Sequence, residues 1–61
     1  MNKAAALAKA ADAVAVFGVV VETYGIHSPE ASKAKDAMRD SFHAARDYGA
    51  TDEDLRAIPH Y

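Results

Sequence analysis

No cysteine and no tryptophan occur among these 61 residues, two phenylalanines and three tyrosines are the only aromatics, and proline and glycine number two and three. Without cysteine there is no disulfide, no thiolate metal site and no thiol nucleophile. No second strand-like segment is present to pair with the one apolar run, which favours helix over sheet. Charge of one sign is scarce as well. Seven Lys and Arg against nine Asp and Glu give a formal −2, without the broad basic balance that draws a protein to phosphate backbones or anionic membranes. Nucleic acid and membrane are therefore not the expected partners, and a cytoplasmic location is the expectation.

What the chain does contain is alanine and a run of apolar residues. Positions 13–21, Ala-Val-Ala-Val-Phe-Gly-Val-Val-Val, carry no charge. The run is flanked by Lys9, Asp12 and Glu22, and reads neither as a secretory leader with its cleavage site nor as a spanning segment of about 18 apolar residues. Alanine loses no side-chain entropy on entering a helix, and Leu7, Ala10, Val14, Phe17, Val21 and Tyr24 recur every three or four positions. The pattern predicts a first helix over about 3–24, with the stripe from Leu7 through Phe17 to Val20 facing inward. Gly18 lies on that inner side, where a missing side chain lets another backbone approach.

Gly25 is placed to stop this helix. Ser28-Pro29-Glu30 then combines an N-cap, a proline at the first helical position and an acid in the first turn. The second helix, about 29–48, is amphipathic: Ala31, Ala34, Met38, Ser41, Phe42 and Ala45 share one face with Ala37, Ala44 and Tyr48, and charged residues take the other. There, pairs such as Lys33 with Asp36 and His43 with Asp47 are spaced for ion pairing. Gly49 ends this helix. Thr51 with Asp54 makes an approximate capping box for a third helix over about 52–58, which Pro59 terminates.

The expected fold is all-α: a single domain, 1–61, built as an antiparallel two-helix hairpin with a short C-terminal helix folded back by Leu55 and Ile58 over the open end. A chain this short buries only about 60% of its unfolded surface, and with neither disulfide nor metal its readiest support is a second subunit. On a helical wheel Val16 and Val19 fall outward with Val20 beside them, so the first helix is apolar nearly all round over two turns. Val16, Val19 and Val20 are the expected core of an isologous interface making a dimeric four-helix bundle. The partner is thus itself, as a homodimer or higher, and a further protein: a small accessory module, of the kind phages encode, docking on a host protein.

Chemistry-bearing patterns are sparse. Lys35, Arg39 and Arg46 form a narrow basic strip on the second helix, a candidate face for an acidic partner. Ala45, Gly49 and Leu55 have the spacing of a helix-turn-helix within 41–58, which gives the alternative function, a small DNA-binding protein whose contacts would come from Thr51, Asp52, Glu53 and Arg56. Three carboxylates, Asp52 to Asp54, oppose that reading, and acids at a helix start are explained by the helix dipole. Histidines 27, 43 and 60 share no zinc-binding spacing. No nucleophile, phosphate loop or second carboxylate accompanies His43 and Asp47, so no catalytic, metal or cofactor residue is assigned and the chain is expected not to be an enzyme.

Overall fold

In the computed structural model, which describes residues 2–59, the chain forms three helices: α1 (Lys3–Tyr24), α2 (Pro29–Asp47) and α3 (Asp52–Arg56). There is no strand among the described residues. The two long helices pack against each other, and the molecule extends 33 × 17 × 15 Å. Its long dimension is that of α1 itself, since 22 residues rise about 33 Å at 1.5 Å each.

Each boundary has a local cause. Asn2 caps α1, its Oδ1 accepting the Ala5 N–H at 2.8 Å. The alanine-rich start obscures this cap in the sequence, although asparagine ranks among the strongest N-cap residues. At the other end Gly25 donates its N–H to the Val21 carbonyl at 2.9 Å. It does so at φ 92, ψ 153, an extended conformation of positive φ that is essentially restricted to glycine, not the left-handed helical cap the sequence suggests. The extended residue is needed because the chain must reverse within three positions. Ser28 locks the reversal, its N–H and Oγ both donating to the Gly25 carbonyl while Oγ accepts the Ala31 N–H at 3.1 Å.

α2 closes one residue before its expected end, with Tyr48 as its cap. Ala50 N–H reaches the Ala45 carbonyl at 2.9 Å and Gly49 N–H reaches that of Arg46 at 3.0 Å, the paired bonds of a Schellman motif with glycine at positive φ. Thr51 and Asp54 then form the expected capping box, at 3.0 and 3.1 Å. α3 stops at Arg56, not near Ile58, because the residue before proline is pushed out of the helical region. Ile58 is held instead by a last turn, its N–H on the Leu55 carbonyl.

The core agrees with the expected stripe at Ala10, Val14 and Gly18 and departs from it at the larger residues. On α1 the buried residues are Ala6, Ala10, Val14 and Gly18, one per turn, and Ala31 and Ala45 answer them from α2. Leu7, Phe17, Val20 and Val21 are half-buried, Tyr24 is 58% exposed, and Ala37 and Tyr48 of the supposed inner face of α2 are also exposed. Small side chains occupy the line of closest approach because they let the helix axes come near, and the larger ones flank it. No large side chain is fully buried among the described residues. Leu55, Ile58 and Ala50 complete the cluster with Ala6, Ala10, Val14 and Ala45, so the third helix does fold back over the open end.

Candidate interaction surfaces

The hairpin leaves one side of α1 uncovered. Val16 is 56% exposed and Val19 63%, one turn apart on the outward face where the sequence puts them. Val20, expected beside them, is already half-buried within the single chain. Next to Val19 runs an apolar groove of about 410 Å³ whose walls include Ala11, Val14, Ala15 and Gly18, with Glu22 at its rim and Pro59 closing it. The Thr23 hydroxyl donates to the Val19 carbonyl at 2.8 Å. By length and composition α1 reaches the mark for a helix able to cross a membrane. Lys9 and Asp12 do not take it below that mark, as the sequence pattern suggested they would.

On α2, Lys35, Arg39 and Arg46 do come together: with Met38, Phe42 and His43 they line a hollow of about 550 Å³. The anticipated intrahelical ion pairs do not form. Neither Lys33 with Asp36 nor His43 with Asp47 comes within 4.0 Å, because exposed pairs gain only about 0–1 kcal/mol and lose side-chain freedom. Two ion pairs seen among the described residues each join different helices, and both end on α3. Lys3 Nζ lies 2.9 Å from Asp54 Oδ2, and Arg46 Nη2 lies 2.8 Å from Asp52 Oδ1. Thus α3 is tied to the first residue of α1 and the last turn of α2. Helix-dipole reasoning finds the acids but not these partners, which are brought near by the fold alone.

The same ties define the corner at 41–58. Thr51 is the N-cap and its hydroxyl accepts the Asp54 N–H. The Thr51 backbone N–H, first, and the Lys3 ammonium hold the Asp54 carboxyl below the usual carboxylate range. Asp52, Glu53 and Arg56 are exposed, with Asp52 engaged by Arg46. α3 has five residues, and no observation at this corner favours a nucleic-acid contact.

Among the described residues no group of three His, Asp or Glu side chains is gathered to hold a metal ion. His27 and His43 are exposed on separate elements, and His60 lies outside the described residues. Ser41 donates its hydroxyl to the Ala37 carbonyl at 3.0 Å, a backbone tie within its own helix. The surfaces that stand out are therefore the outward face of α1 and the basic side of α2. Against known proteins the chain has no counterpart to lend them a role: no family model, no curated protein and no solved structure matches it.

Proposed function

We propose that this chain is a small, non-enzymatic interaction module of the cytoplasm that self-associates through the outward face of α1, two hairpins pairing about a two-fold axis as a four-helix bundle. The observation that carries the reading is the exposure of Val16 and Val19 beside an apolar groove in a fold that, among the described residues, fully buries no large side chain. The surface area points the same way. The chain exposes 4200 Å², whereas a compact monomer of 6.5 kDa exposes about 3,800 Å². A standard interface removes about 800 Å² per subunit, close to a fifth of that total. The Thr23 hydroxyl is already satisfied by the Val19 carbonyl, and the exposed Asp12 and Glu22 beside the valines would have to stay at the wet rim of such an interface.

A water-exposed setting is supported by what α1 packs against. Its partner α2 carries Lys33, Lys35, Asp36, Arg39 and Asp40 in succession, and each charge costs about 2.5–3.5 kcal/mol at a bilayer centre. The test is sedimentation velocity over a hundredfold range of concentration, on the natural sequence and on Val19→Asp. The expected result is a dimer or higher species that the variant converts to monomer, because an unpaired charge in an apolar interface is strongly unfavourable. A well-folded monomer at all concentrations would defeat self-association, and an unchanged mass for Val19→Asp would defeat this interface.

A further inference from the structure

The basic side of α2 is part of a longer feature. The hollow at Met38 and Phe42 shares Lys35 and Met38 with a second hollow, which runs to Phe17, Ile26 and His27 at the hairpin loop. It shares Phe42 and Arg46 with a third, which runs to Leu55 and Arg56 on α3. Joined end to end they make one furrow along α2, from about Ala31 to Arg46, a length of roughly 22 Å at 1.5 Å per residue. Its floor is apolar: Ile26 is 62% exposed, and Phe17, Met38 and Phe42 are half-buried.

The rim is cationic. Of the seven Lys and Arg in the chain, Lys35, Arg39, Arg46 and Arg56 stand along it, and Asp52, bonded to Arg46, is the one carboxylate among the residues that line the three hollows. Lys35, Arg39 and Arg56 have no carboxylate within 4.0 Å among the described residues. In a chain of net charge −2 this concentrates uncompensated positive charge beside the one long apolar furrow that α2 presents. Asp36, Asp40 and Asp47 lie about a quarter-turn further round α2, at 100° per residue, and line none of the three hollows.

We infer that this furrow docks an acidic amphipathic helix of a partner protein. Met38 and Phe42, one turn apart, are spaced to receive apolar anchors at i, i+3 or i+4 and i+7 of such a helix. About four turns of it match the furrow's length. Acidic residues on the partner's flanks meet Lys35, Arg39 and Arg56, which sets orientation and speeds encounter more than it adds affinity. A concave track with an apolar floor favours a helix over a flat anionic lipid surface. This inference uses the α2 side of the hairpin and does not depend on α1 self-association.

The probe is a sixteen-residue helical peptide with leucine at those anchor spacings and glutamate on its flanks, titrated into the full-length, isotope-labelled chain and followed by amide chemical shifts. A version with lysine for glutamate is the control, together with vesicles containing phosphatidylserine. The glutamate peptide should bind saturably, shift the amides from Lys35 to Arg46, and weaken as salt screens the rim. Reversing two exposed charges, Lys35→Glu with Arg39→Glu, should weaken it at least about tenfold and transfer binding to the lysine peptide, with the helical circular-dichroism spectrum retained. Equal binding of both peptides, shifts confined to Val16 and Val19, an affinity indifferent to the charge reversal, or binding to the vesicles without the peptide would each overturn the inference. Absence of saturable binding by the glutamate peptide would do the same.

Discussion

The two ends of the hairpin are built from the same alanine-rich helices, yet they are finished differently. At the open end α3 is drawn across the helix pair by a capping box and two ion pairs. Leu55 and Ile58 there bury themselves over Ala6, Ala10 and Ala45. At the loop end no third helix lies over the pair among the described residues, and Val16, Val19, Tyr24 and Ile26 stay exposed. Alanine packing brings helices close but removes little apolar surface, so an end becomes well covered only where something larger is laid over it. The open end supplies that cover from its own chain. Among the described residues the loop end has the apolar surface without such a cover, and the proposed self-association would supply it.

The largest test of this contrast is truncation on each side of it. Leu55 is 5% exposed, and Leu→Ala at a buried site costs about 2–5 kcal/mol, against a total of about 3–9 kcal/mol for a chain of this length. Leu55→Ala should therefore abolish the cooperative urea transition or move it close to zero denaturant. Val19→Ala in dilute solution should leave the midpoint nearly unchanged, since its side chain is largely in water and alanine is the better helix former. If Val19→Ala destabilises as much as Leu55→Ala, and does so only at high protein concentration, the loop end is covered by a second copy and the contrast holds only for the single chain.

How much of this was legible in the sequence follows the range of the interactions. Helix positions were readable because their determinants are local: Ser28-Pro29, the Gly49 turn and the Thr51–Asp54 box act within about four residues, and the bounds match within one or two positions. The outward direction of Val16 and Val19 was readable from periodicity. The core was read less well. Ala10 and Val14 of the expected stripe, and Gly18 on its inner side, are buried as read, whereas Ala6 was not anticipated and Leu7, Phe17 and Val21 only flank the contact, with Tyr24 exposed. Least legible were Lys3 with Asp54 and Arg46 with Asp52. Their separation along the chain carries no periodic signal, so the acidic start of α3 could be explained only by its own dipole. The basic strip was visible, but its continuation into a furrow was not, because Phe17, Ile26 and Arg56 come from other elements.

A smaller effect separates the two anchors of the open end. The Asp54 carboxyl is held below its ordinary value, by the Thr51 N–H first and by Lys3 second, so its charged form is favoured in the folded chain. The stabilisation this gives is present above the unfolded value, about pH 3.9, and is lost as pH falls through the lower folded value. Urea midpoints should drop between about pH 5 and pH 2.5, and Asp54→Asn should drop less over the same interval. Lys3→Met should keep most of the natural pH dependence, because the backbone hydrogen bond outranks the ammonium. If Lys3→Met abolishes it, the ion pair is the chief anchor.

The smallest effect is that of Arg46 with Asp52, whose side chains are 56% and 64% exposed. Ion pairs in water are worth about 0–1 kcal/mol, so a double-mutant cycle with Arg46→Met and Asp52→Asn should return a coupling of a few tenths of a kcal/mol, vanishing in high salt. The informative quantity is how that coupling responds to an occupant of the furrow. Asp52 is the carboxylate on an otherwise cationic rim, and removing it frees Arg46 for an incoming acid. Asp52→Asn should therefore cost the fold almost nothing while tightening the glutamate peptide, and Arg46→Met should weaken that peptide by a comparable factor. Were both substitutions to change stability by more than about 1 kcal/mol, Arg46 would belong to the architecture of the open end and not to the furrow.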